Sequence, residues 1–188
     1  MIADCLSATL AAIDVANAAD PNRSDGTPDA LLYGQRMSAE LDRLIPDAPE
    51  LLRIAVRGQH IERWTSPRAS YPEGRAGYLS WRRDLAAFHA RRVGEIMATA
   101  GYSAEDVDKV GQMLRKEGIK RDDDVQALED VACFTFLRWY FLPFAAGRDP
   151  EEVARIVEKT ARKMSAAARA RVLTEFDLPD GLAGAFRE

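Results

Sequence analysis

Helix entries punctuate this chain, and each is followed by apolar residues at three- and four-residue steps rather than by strand-like alternation. Thr27-Pro28 places a hydroxyl before a proline at a first helical position, and Asp47-Ala48-Pro49-Glu50 places a capping acid three residues before a glutamate. Ser103-Ala104-Glu105-Asp106 has the same form with aspartate for glutamate, and Asp149-Pro150-Glu151-Glu152 loads acid onto a first turn, where the helix dipole favours it. The spacing predicts helices over 2–19, 28–45, 48–64, 77–100, 104–117, 123–146, 150–163 and 166–175, with no strand required. The run Val131–Leu142 is apolar almost all round, which predicts a central helix with others packed about it. The expected fold is all-α: one compact domain over 1–188, about eight helices around the central one, and residues 150–188 as covering helices.

A chain of 188 residues, 47% hydrophobic, is long enough to bury a core without disulfides or a structural metal. Its two cysteines, Cys5 and Cys133, have no zinc or redox spacing and read as buried thiols of a reducing compartment. No uninterrupted apolar stretch is long enough to span a bilayer, and the acid in MIADCLSATLAAID argues against a secretory leader. The expectation is a cytoplasmic protein with no membrane partner.

Charge is unevenly spread. Residues 1–52 carry 9 acids and 3 bases, whereas 53–92 carry 9 arginines, no lysine and 3 acids. Arginine's planar fork matches carboxylate and phosphate oxygens in pairs, so this segment suggests recognition of a small anionic ligand, with ion pairing to the acidic first block as the structural alternative. An acidic pI near 5.4 argues against a specific nucleic-acid partner. Residues 65–76 (TSPRASYPEGRA) form the one long connection without periodicity, read as a functional loop or lid. Arg68, Tyr71 and Arg75 on it, with Tyr78, Trp81 and Arg82 beyond, have the composition of a ligand rim or, equally, of an aromatic clamp that pins the loop.

The chain has two histidines. His60 extends the row Leu52, Val56 and precedes Trp64, and His89 extends the row Trp81, Leu85 toward Val93 and Met97, so both are expected to face inward from helices. Asp130 opens the most apolar helix, where a buried carboxylate needs a cation, a metal or a strong donor. Two imidazoles and a carboxylate from three helices suit a divalent metal if they converge, and singly each suits a hydrogen-bonded core.

The segments Arg57-Gly58-Gln59-His60-Ile61-Glu62-Arg63-Trp64, Tyr71-Pro72-Glu73-Gly74-Arg75-Ala76-Gly77-Tyr78-Leu79-Ser80-Trp81-Arg82, Leu114-Arg115-Lys116-Glu117 and Leu128-Glu129-Asp130-Val131-Ala132-Cys133 resemble those of domain-of-unknown-function family 4202, over nearly the whole chain. More faintly they resemble the all-helical HD superfamily of metal-dependent phosphohydrolases, which implies an HD-like fold. In that resemblance His60 corresponds to the histidine of the His-Asp doublet and Asp130 to the late aspartate, while the stretch from His89 to Lys116 is similar to the histidine-led helix pair. Ile61 stands in place of the doublet's aspartate, no histidine occurs on the helix of residues 28–45, and Lys116-Glu117 stand where a second-metal histidine often falls.

Three expectations follow. The first is an HD-like hydrolase acting on a small phosphate-containing or nucleotide-like substrate through one divalent ion, Fe, Mn, Zn or Ni, held by His60, His89 and Asp130. Glu129 or Glu62 would accept a proton there, and Arg57, Arg63, Arg68, Tyr71, Arg75, Tyr78, Trp81, Arg82 and Lys116 would bind substrate. The second is a metal-free anion site in which a histidine acts as base beside the arginines. The third is a regulatory or assembly protein on a worn fold, and a homo-oligomer is open to all three.

Overall fold

A computed structural model describes residues 5–187, which are almost wholly helical. They divide into two compact units, up to Gly118 and from Ile119 onward. The all-α expectation holds.

The first unit opens with α1 (Cys5–Ala18) and then a hairpin absent from the sequence reading, β1 (Arg23–Ser24) paired antiparallel with β2 (Thr27–Pro28). The signal was Asp25-Gly26, whose φ values of 50° and 78° make the left-handed two-residue turn that joins twisted strands. The ladder takes up Thr27 and Pro28, so they do not start a helix as expected; α2 (Asp29–Leu44) begins one residue later. Its cap comes from ten residues upstream, where buried Asp20 accepts Ala30 N–H at 3.0 Å. The entry expected at Asp47 is likewise displaced, since α3 (Glu50–Gly58) follows Pro49 without a side-chain cap.

Helix α3 stops six residues short of the expected end at 64. Gly58 lies against α4, where an added Cβ would sit 2.4 Å from Val93 Cγ2. The chain then tightens into short turns, Ile61 N–H to Gly58 O and Arg63 N–H to His60 O, and reaches Glu62 with φ 48°. Asn17 of α1, itself buried, holds this reversal by accepting Glu62 N–H at 3.0 Å. His60 therefore stands in a turn and not on the inward row of a helix.

Helix α4 (Gly74–Ala100) ends in left-handed Gly101, and Ser103 caps α5 (Ala104–Arg115) as expected by accepting Asp106 N–H. Helix α4 packs on α5 and α1, and α3 on α2 and α5, around Ile13, Met37, Leu52, Ile54, Val93 and Met97.

In the second unit Asp122 caps α6 (Asp123–Thr135) by accepting two backbone N–H groups. The helix expected to run unbroken over 123–146 widens into a π turn at Phe136–Tyr140 before α7 (Phe141–Ala145). Pro143 cannot donate to the carbonyl four residues back and crowds it, which the wider turn relieves. The extra residue rotates the face beyond it, leaving Trp139 and Leu142 exposed at 41% and 77%, so the run is not buried all round. Asp149 and Ser165 cap α8 (Pro150–Lys163) and α9 (Ala166–Glu175), both with the expected bounds, and α10 (Asp180–Ala183) follows. No helix among the described residues is long and apolar enough to cross a membrane.

Candidate functional site

The turn that breaks α3 positions the chemistry of the first unit. It carries Gln59, His60 and Arg63 toward α4, which contributes Arg82 and His89, and toward the end of α5, which contributes Lys116. These six line a cavity of about 350 Å³ whose apolar wall includes Leu85 and Leu114.

The imidazoles are neighbours, with ring centroids 5.9 Å apart, and Tyr33 of α2 stacks on His60 at 4.1 Å. Arg63 Nη1 lies 3.1 Å from His60 Nε2. A guanidinium only donates, so Nε2 accepts and His60 is neutral with its proton on Nδ1. Burial, then Arg63, His89, Arg82 and Lys116, hold its pKa well below the ordinary 6.5. His89 is lowered to about 3, first by burial and then by Arg63 and Arg82. Both rings are uncharged at neutral pH. His89 Nε2 and Gln59 Oε1 are buried without a hydrogen-bond partner.

The arginines supply the charge. Arg63 sits 4.8 Å from the centroid of Trp81, and burial followed by repulsion from Arg82 lowers its pKa. Among the described residues neither Arg63 nor Arg82 has a carboxylate partner, and the one carboxylate lining the cavity, Glu117, is held by Arg115 at 2.9 Å. Lys116 is at φ 59°, a left-handed position that glycine occupies at lower cost.

The other residues singled out in the sequence are placed differently. Arg57 gives its guanidinium to both oxygens of Asp14 at 2.6 Å. Arg68 donates to Tyr71 O at 2.9 Å within the loop, Arg75 and Tyr78 are exposed, and Trp81 Nε1 donates to Ser66 O at 2.9 Å. Trp81 thus clamps the loop while its face supports Arg63. Glu62 accepts from Arg92 at 2.8 Å. Asp130 and Glu129 belong to the second unit: Asp130 Oδ1 accepts Ser165 N–H at 2.8 Å and Gln126 Nε2 at 3.0 Å, and buried Glu129 lies 3.7 Å from Lys163 Nζ. No group of three His, Cys, Asp or Glu side chains among the described residues is placed to hold a metal ion. Gln59, which lines the cavity, and Tyr33, which stacks on His60, carry no role in the sequence reading. Gln59 stands beside His60 in the segment QHIERW, but only the turn reveals that it faces the same space.

Comparison with curated proteins finds no match, and comparison with solved structures finds none. Residues 7–185 match the family described as Domain of unknown function (DUF4202), and the chain belongs to that family.

Proposed function

We propose that the first unit binds a small organic oxyanion, of the phosphate-ester class, in the cavity between the turn after α3 and helices α4 and α5, and that it does so without a metal. One observation carries the reading: Arg63 and Arg82 share the cavity without a carboxylate partner, and burial together with Arg82 makes the charge on Arg63 costly. An uncompensated buried charge is expensive, and an anion entering here relieves it. Neutral imidazoles add hydrogen bonding without adding charge.

The metal-dependent reading fits these residues less well. His60 Nε2 already accepts from Arg63, five cationic residues against one carboxylate line the space a divalent ion would enter, and the Oδ1 of Asp130 is engaged by Ser165 and Gln126. No step is therefore routed through an ion. Cys133 is buried and Cys5 is exposed, against the expectation that both are buried, and neither forms a disulfide, which suits the cytoplasm as the place of action.

The test is calorimetric titration with inorganic phosphate and with propyl phosphate, on wild type and Arg82→Gln, beside metal analysis of chelator-free protein. Saturable binding that weakens about tenfold or more on losing one charge-assisted contact is expected. No binding, or binding indifferent to Arg82→Gln, overturns the proposal. Stoichiometric metal that is lost in His60→Ala and in His89→Ala restores the metal-dependent hydrolase.

A further inference from the structure

The cavity presents more than positive charge. Gln59 and His89 both line it, both are buried, and the Oε1 of the one and the Nε2 of the other lack a hydrogen-bond partner. Buried polar atoms are nearly always satisfied, and two orphans on residues that line one cavity point to a ligand or a water that meets them. The oxygens of a phosphate-ester dianion or of a carboxylate only accept, so such a head by itself would leave the Gln59 carbonyl oxygen unmet. A hydroxyl both donates and accepts and so satisfies either orientation of the amide and either tautomer of the ring.

Resting on the anion reading above, we infer that the ligand is a hydroxylated phosphate ester: its phosphate lies among Arg63, Arg82 and Lys116, and a hydroxyl on its carbon skeleton is received by Gln59 and His89. The arginines then set affinity for the head, and the two orphaned groups set discrimination among esters that share it.

Glycerol 1-phosphate and propyl phosphate separate these roles, because they share the phosphate and a three-carbon chain and differ in two hydroxyls. In wild type, glycerol 1-phosphate is expected to bind about tenfold more tightly, as for a site built to hydrogen-bond a hydroxyl. In Gln59→Leu and in His89→Phe the ratio of the two affinities is expected to fall toward one. Nitrogen-15 spectra of the two histidines provide a readout in unmutated protein, where glycerol 1-phosphate should shift the Nε2 resonance of His89 and propyl phosphate should not. Equal affinities in wild type, with the Nε2 resonance unmoved by both, overturn the inference and assign the orphans to a water while leaving the anion site standing. A ratio retained in both variants also overturns it. Failure of both esters to bind removes the anion reading itself, and this inference with it.

Discussion

Arg63 donates to the Nε2 of His60 across 3.1 Å while resting over the ring of Trp81. One guanidinium thereby fixes a tautomer and faces the cavity, although the two residues are three apart on no regular helix. Arg63→Gln removes the charge, keeps donors, and leaves Tyr33 stacked on His60. The expected outcome is a rise in the His60 pKa, since a cation that lowers it is gone, together with about tenfold or greater loss of phosphate affinity. Histidine NMR titration and calorimetry read the two effects, and a His60 pKa that does not rise would sink the assignment.

Neutral buried histidines make stability depend on pH. The unfolded chain takes up a proton on each imidazole at about pH 6.5, whereas folded His89 does so only at about 3 and folded His60 well below its ordinary value. Between those limits the unfolded state binds more protons, so stability is full above about pH 6.5 and declines as pH falls, by up to about 1.4 kcal/mol per pH unit for each histidine. Urea unfolding from pH 7.5 to 4.5 should show that decline, with a shallower slope in His89→Phe. Imidazole resonances titrating near 6.5 in the folded protein would contradict it.

Arg57 separates a structural arginine from a ligand-binding one. It lies in the arginine-rich segment with Arg63 and Arg82, yet both its forks close on Asp14 and its Nη1 also reaches Ser38 at 3.2 Å. Arg57→Met should cost about 1–3 kcal/mol of stability by leaving Asp14 without its donors. Phosphate affinity should be unchanged, and a loss of affinity beyond the loss of stability would return Arg57 to the site.

Lys116 carries the opposite balance. Its φ of 59° at the end of α5 is strained for any side chain, and its ammonium lines the cavity. Lys116→Gly is expected to stabilise the fold by about 0.5–1 kcal/mol by relieving that conformation and to weaken phosphate binding. A variant that is less stable, or binds as tightly, would show that the lysine is not held there for the ligand.

How far the sequence reaches differs between fold and site. The caps at Ser103 and Asp149 were legible because a short polar side chain before an apolar helix has few other uses. The cap on α2 was not, because Asp20 reaches Ala30 across a hairpin and no local pattern encodes it. At the site, His60, His89, Arg63, Arg82 and Lys116 were all named from residue type and position. The periodicity that picked out His60 was nevertheless misleading, since α3 ends before it and the turn through left-handed Glu62 aims it instead. Arginine composition alone could not distinguish Arg57 from Arg63, because the difference lies in whether a carboxylate from α1 arrives.

Two glycines in the segment YPEGRAGY allow a final test of how the loop supports the cavity. An added Cβ at Gly77 would fall 1.9 Å from Pro72 O, whereas at Gly74 it would meet nothing within 4 Å and face only a φ of +80°. The loop that Gly77 admits is also the one whose Ser66 carbonyl accepts from Trp81, beneath Arg63. Gly77→Ala must push Pro72 off α4 and is expected to cost about 1–3 kcal/mol, as overpacking does, with a matching loss of phosphate affinity. Gly74→Ala should cost about 1 kcal/mol from its backbone conformation and leave affinity intact. Urea unfolding and calorimetry of both variants decide the matter: equal affinities in the two would mean that the seat of Arg63 does not depend on the loop's close approach to α4.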